Sequence, residues 1–308
     1  MTVDVIIPVY KPDDTLYQLL DMLGKQTRAV RRIILMNTEK DLLERFVQEK
    51  TLLDKYENVS ISHVTRQEFD HGKTRHEGIL QSDADVVLCM TQDAVPADDL
   101  VVEKLVTALQ ANDKIIAAYA RQLPREDCSP METYIRTFNY PDISKVKSLH
   151  DLDLLKIKTF FCSNVCCAYK RELYLKQGGF IQKTIFNEDM IFAGNAIKAG
   201  YQVAYAADAK VIHSHNYTCM QQLHRNFDLG VSQAEHPEVF AGVPSEGEGI
   251  KSVKSTAKYL LSKGKWYLLP HLVMQSGCKY LGYLLGKNYK ILPRKVVLGL
   301  SMNKEYWK

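Results

Sequence analysis

Over its first 120 residues the chain changes hydrophobic period again and again, and this alternation constrains the fold more than any other feature. Val3–Pro8 is a short apolar run closed by proline, after which Asp13 or Asp14 caps a helical pattern through Leu16, Leu19, Leu20 and Leu23. Arg32–Met36 reads as a second buried strand, 39–55 as a second helix and Val59–Val64 as an alternating third strand. A helix near Lys73–Gln81, a strand over Asp85–Met90, a helix from Pro96 to about Ala111 with Pro in its first turn, and a strand over Lys114–Ala120 continue the series. Strands separated by helices predict an α/β fold: a mainly parallel central sheet with helices on both faces, and ligands beyond the carboxyl ends of the strands.

The remainder is less regular. Residues 121–158 mix Pro124, Pro130 and Pro141 with charges and scattered aromatics, which predicts a long excursion or lid. Thr159–Tyr169 reads as a strand, Gly178-Gly179 breaks the chain before a helix near Asn187, Tyr201–Val211 is a further strand, and a helical pattern runs from Tyr217 to about Gln233. A linker over Gly242–Gly249 then separates a body, 1–240, from a basic helical C-terminal region, 241–308. The charge changes there too: residues 251–308 hold eleven Lys, one Arg and one Glu, whereas the whole chain carries only +4. A basic tail on an acidic body predicts contact with something anionic.

Seven cysteines without a C-x-x-C pair predict a reducing compartment, and the N-terminus has no signal-peptide pattern. Trp266–Gly286 is interrupted by Pro270, His271, Gln275 and Lys279, too polar for an ordinary spanning helix. Neither G-x-x-x-x-G-K-[ST] nor G-x-G-x-x-G occurs, which removes the usual ATPase and dinucleotide fingerprints.

Chemistry is expected at strand ends: Pro8-Val9-Tyr10, Asn37-Thr38-Glu39 and Thr91-Gln92-Asp93 would line one crevice. Asp93 is placed to hold a hard cation or to cap the following helix. Glu188-Asp189 opens a helix, where acidic residues commonly complement the dipole. His213 and His215 share a strand face and suit a metal or a hydrogen-bonded surface pair. Phe69-Asp70-His71-Gly72-Lys73-Thr74-Arg75 sets one Gly and two cations near a helix start, suited to an anion.

In this order the pieces resemble a family 2 glycosyltransferase of the GT-A fold, nearest to bacterial rhamnosyltransferases. The similarity covers about residues 3–235 and rests on Val5–Tyr10, Phe69–Arg75, Thr91-Gln92-Asp93-Ala94-Val95-Pro96 in place of the usual D-x-D, Gly178-Gly179-Phe180, Glu188-Asp189 and His213–Tyr217. The resemblance implies Asp189 as catalytic base and Glu188 as a residue orienting the acceptor or the loop. It implies Pro8, Tyr10, Asn37, Arg75, Gln92, Asp93, Gln222 and Arg225 around the donor, with Asn37 reading the base and Arg75 supporting the diphosphate. A divalent Mg or Mn ion would sit on Asp93 and on His213 or His215. Thr91 in place of the first Asp leaves one charge fewer for that ion.

The implied activity is an inverting hexosyl transfer, of L-rhamnose from dTDP-L-rhamnose, onto a lipid-linked surface polysaccharide. In-line attack by an acceptor hydroxyl needs one base, whereas a glycosidase needs two flanking carboxylates. The interleaved aromatics and lysines after Lys263 suit a peripheral helix or hairpin at the inner face of the cell membrane, or the face of a homo-oligomer. Nucleic-acid binding is not expected, because only Lys-rich composition favours it. Two alternatives stand beside this reading: another nucleotide-sugar donor, or a non-catalytic membrane-associated protein that binds nucleotide sugar.

Overall fold

The computed structural model describes residues 1–243 and 246–308. The first half runs β1 (Val3–Val9), α1 (Asp14–Gly24), β2 (Arg32–Thr38), α2 (Lys40–Phe46), α3 (Glu49–Lys55), β3 (Val59–Val64), α4 (His71–Leu80), β4 (Val86–Met90), β5 (Val95–Pro96), α5 (Val101–Gln110) and β6 (Ile115–Leu123). The second half adds α6 (Pro130–Asn139), β7 (Lys145–Lys147), α7 (Leu152–Leu155), β8 (Cys166–Lys170), α8 (Arg171–Lys176), α9 (Glu188–Lys198), β9 (Gln202–Ile212), α10 (Cys219–Glu235) and α11 (Pro237–Phe240). Helices α12 (Glu246–Ser262), α13 (Leu269–Lys287) and α14 (Arg294–Leu300) follow.

Among the described residues the strands form one sheet in the order β3-β2-β1-β4-β8-β6-β9-β5, with β7 paired to β9. Strands β1 to β4 are parallel, β8 is antiparallel to both β4 and β6, and β6 is parallel to β9. The carboxyl ends of β1, β2, β4, β6 and β9 therefore open on one edge, together with the chain that enters β8. Successive residues of the buried strands feed opposite faces, as Val5 and Ile7 join one apolar cluster and Ile6 the other. The Asp13 carboxylate accepts from Thr15 N at 2.9 Å to start α1, whose Leu16, Leu19, Leu20 and Leu23 are buried.

Several expected elements are corrected. The helix over 39–55 is two helices, because Val47 and Gln48 are extended between them. Pro96 lies in the two-residue strand β5 against β9, and the helix begins only at Val101. The apolar stretch 159–169 is a strand only from Cys166, with a 3-10 turn over Lys156–Thr159 ahead of it. The excursion after β6 is ordered by α6 and by β7, an edge strand on β9. Of the linker expected over 242–249, Pro244 and Ser245 lie outside the described residues, and α12 already begins at Glu246.

The C-terminal helices fold back on the body. Gly230, Gly282 and Gly286 bring α10 and α13 together so closely that a Cβ on Gly282 would lie 2.2 Å from the Leu223 carbonyl oxygen, and one on Gly286 would lie 2.1 Å from that of Phe227. Met131 of α6, Leu260 of α12 and Leu272 of α13 share a small core, and Tyr134 stacks on Tyr259 at 4.4 Å. The Asp228 carboxylate accepts from Ser301 Oγ, Met302 N and Asn303 N, pinning the terminal segment to α10. No helix among the described residues is long and apolar enough to cross a membrane.

The glycine contacts give a contrast within one helix. Gly286→Ala should destabilise the fold by about 1–3 kcal/mol through overpacking. Gly277→Ala, on the same helix facing open space, should be neutral or stabilise by up to about 1 kcal/mol. Denaturant titration of the two variants measures the difference.

Candidate active site

At the carboxyl edge of the sheet a cleft of about 830 Å³ collects Arg75, Thr91, Asp93, Gln122, Asn164, Glu188, Asp189, His213, His215, Gln222, Arg225 and Lys279. Strand β4 delivers Asp93 just beyond its end, and β9 delivers His213 and His215 directly after Ile212. The two imidazole Nε2 atoms lie 3.5 and 3.3 Å from Asp93 Oδ2, and one ligand atom from each of the three residues falls within 4.8 Å of the others.

Gln122, at the end of β6, decides how His213 is presented. Its Oε1 accepts from Arg136, which can only donate, so the facing His213 Nδ1 at 3.0 Å must carry a proton. Gln122 Nε2 donates to Tyr140 Oη and Ser163 Oγ. The His213 Nε2 is thereby left toward Asp93. Burial and the neighbouring His213 push His215 down to about 4, against the pull of Asp93, so that ring is neutral at ordinary pH. Burial acts to raise the Asp93 carboxyl, but hydrogen bonding to His213 and the two imidazoles outweigh it and hold the group well below the usual range. Two imidazoles and a carboxylate fit a divalent cation. Thr91 lines the same cleft and brings no charge.

Two adjacent carboxylates at the start of α9 line the same cleft. Asn187 precedes them with φ 66°, a left-handed turn that Asn tolerates, and its amide donates to Ser232 Oγ at 3.3 Å. Glu188 is buried and sits 3.2 Å from Arg75 NH1; Asn164 Nδ2 donates to it at 3.0 Å. Burial would raise the Glu188 carboxyl, but Arg75 keeps it lowered. Asp189 accepts from Asn164 N at 2.9 Å and Met190 N at 2.8 Å, yet burial first, and Glu188 second, push it up to about 7. A helix start alone would favour an ionised Asp189; burial beside a second carboxylate leaves it poised near neutrality instead.

The other expected residues divide. Gln222 and Arg225, on α10, reach the cleft, with the Arg225 guanidinium 4.5 Å from the Phe186 ring and 5.8 Å from that of Tyr217. Pro8, Tyr10, Asn37 and Gln92 lie outside the set that lines it. Gln92 bridges to the Tyr10 main chain by two hydrogen bonds of 2.9 Å, making a rim at the ends of β1 and β4. Asn37 is fully buried, with Nδ2 directed to Glu39 O and His63. The anion site expected at the start of α4 is filled: Asp70 accepts from Gly72 N, Lys73 N and Thr184 N.

Three residues of this cleft escaped the sequence reading. Gln122 and Asn164 sit at the ends of apolar runs, where a buried amide is the only signal. Lys279 reads as one of many tail lysines, and its place in the cleft comes from helix packing.

The fold and this cleft define a GT-A nucleotide-sugar transferase. The glycosyl transferase family 2 model matches residues 4–177. The chain is 38% identical to the O-antigen chain rhamnosyltransferase RfbN of Salmonella typhimurium strain LT2, covering 100% of this chain and 96% of that one. It is 35% identical to the O-antigen chain rhamnosyltransferase WbaN of Salmonella anatum, covering 98% and 95%. The mannosyltransferase PcManGT of Pyrobaculum calidifontis, solved with GDP-Man and Mn2+, shares the fold at a TM-score of 0.57 and 14% identity, over 99% of this chain and 84% of that one. TarS 1-349 of S. aureus does so at 0.52 and 14%, over 94% and 91%. The chain belongs to glycosyltransferase family 2, and it is a glycosyltransferase.

The Gln122 geometry generates a prediction. Gln122→Met should weaken Mn2+ binding roughly 10–100-fold in calorimetry, whereas Gln122→Glu, which keeps an acceptor on His213 Nδ1, should retain most of it.

Proposed function

We propose that this glycosyltransferase inverts configuration while moving L-rhamnose from dTDP-L-rhamnose to a lipid-linked surface-polysaccharide acceptor of the O-antigen kind. The observation that carries the chemistry is Asp189, one carboxylate poised near neutrality that lines the same cleft as Asp93, His213 and His215. The sugar and acceptor classes rest on two relatives named as O-antigen rhamnosyltransferases, matched over nearly the whole chain.

In this reading the acceptor hydroxyl oxygen attacks the anomeric carbon, the bond from that carbon to the nucleoside diphosphate oxygen breaks, and Asp189 takes the hydroxyl proton. Glu188 stays ionised against Arg75 and, through Asn164, helps fix Asp189 toward the acceptor. Arg225 faces the side where negative charge grows. Asp93, His213 and His215 would hold a Mg or Mn ion, which when bound offsets charge on the departing diphosphate. Tyr10 and Pro8, braced by Gln92, offer the rim for the base.

The acceptor's lipid motivates the second half of the proposal, a peripheral placement at the inner face of the cell membrane. Val273, Met274, Tyr280, Leu281 and Leu284 recur along the outward side of α13 and are exposed, as are Trp266 and Tyr267 ahead of it. Lys263, Lys287, Lys290, Arg294 and Lys295 flank them. Apolar groups bordered by cations suit an anionic bilayer surface.

Two measurements test this reading. With dTDP-rhamnose as donor, kcat/KM should rise with pH through about 7 and fall tenfold per unit below it, because only ionised Asp189 accepts the proton; Asp189→Asn should lower turnover by roughly 10²–10⁴ while donor binding persists. A rate flat down to pH 5, or an active Asn variant, moves the base elsewhere. The full chain should also cosediment with phosphatidylglycerol vesicles at low salt, and Trp266→Ser with Leu281→Asp should abolish this. A salt-insensitive dimer in place of vesicle binding would assign that face to a second copy.

A further inference from the structure

Among the described residues Lys279 is the one cleft residue supplied by the C-terminal helices, and its position follows from the helix contact beneath it. Gly282, three residues on, meets the Leu223 carbonyl on α10, the residue next to Gln222. That close approach turns Lys279 inward beside Gln222 and Arg225, while the residues on the far side of α13 remain exposed. Among the described residues Lys279 has neither an ion pair nor a hydrogen bond, and Arg225 is held by ring faces with no carboxylate partner. The charges that act on Lys279 are Glu132, Arg225 and Arg136, and Glu132 is already bound by Arg136.

This wall of the cleft thus gathers three cations against one committed carboxylate. Burial, aided by Arg225 and Arg136, lowers the Lys279 ammonium from its ordinary value against the pull of Glu132. A compact, multiply charged anion would offset this positive charge. The Gln122 amide ties the wall to the Asp93 cluster, since Arg136 donates to the same oxygen that accepts from His213.

We propose that Lys279, with Arg225 and Arg136, forms a phosphoryl-binding wall, so that the C-terminal helix completes the active cleft. The phosphoryl group comes either from the departing nucleoside diphosphate or from the diphosphate that links an acceptor glycan to its lipid. The inference adds to the proposed transfer reaction without resting on the choice of donor.

The test titrates the full chain calorimetrically with inorganic pyrophosphate in EDTA, with dTDP plus Mn2+, and with geranyl diphosphate. Lys279→Met should weaken pyrophosphate about tenfold, the loss of one charge-assisted hydrogen bond, and Lys279→Arg should restore it. Lys279→Gln serves if the Met variant melts early. Parallel weakening of dTDP alone assigns the wall to the leaving group, and weakening of geranyl diphosphate alone assigns it to the acceptor's linkage. Wild-type affinity for all three probes in the Lys279 variants, or no pyrophosphate binding by the wild type, overturns the proposal. Discrimination at Lys279 in a protein that transfers no sugar would refute the transfer reading and leave the wall standing. Normal transfer without discrimination would do the reverse.

Discussion

The site depends on two adjacent carboxylates being buried at one helix start without both becoming protonated. Arg75 makes this possible. Its guanidinium neutralises Glu188 inside the protein, and Asn164 then spends its side-chain amide on Glu188 and its main-chain N–H on Asp189. Like charges so close in low dielectric force the pair apart, so one stays ionised and the other moves toward neutrality. Removing Arg75 would leave an uncompensated buried charge, a change that typically costs about 3–5 kcal/mol. Asn164 is itself held by the hydroxyl of Tyr169, which donates to its Oδ1 at 2.8 Å, so the arrangement is anchored in β8.

Strand β8 is also what makes the sheet serve this chemistry. Because it runs antiparallel between β4 and β6, the segment entering it arrives at the carboxyl edge, where the parallel strands deliver Asp93, Gln122 and the two histidines. The carboxylates therefore line the same cleft as Asp93, His213 and His215, although Asp93 lies far from the others in sequence. The helices after residue 246 close a further wall, and glycine contacts between α10 and α13 set how near that wall stands.

Much of this was legible in the sequence, for physical reasons that differ by element. The parallel strands β1 to β4 are short apolar runs with no competing period, and the capped leucine pattern of α1 admits one reading. Residue type alone left Asp93, Asp189 and the histidine pair open to bland roles; the family resemblance singled them out, and the structure brings them to one cleft. What hydrophobic period could not show was long-range pairing. The run 159–169 looks like one strand, but buried Ser163 and Asn164 interrupt it to serve the carboxylates. Pro96 looks like a helix start and instead pairs with Val211 of β9. Asn37 holds an expected position but is buried behind the rim, and Lys279 was indistinguishable from its neighbours until the helix packing turned it inward.

The most direct measurement of the central claim, in-line attack by an acceptor hydroxyl assisted by one base, is the anomeric configuration of the product. Proton NMR of the disaccharide linkage formed from dTDP-L-rhamnose and a lipid-linked saccharide should show the configuration opposite to the donor's. A linkage with the donor's configuration, or release of free sugar as the main product, would contradict a single Asp189 base acting across this cleft.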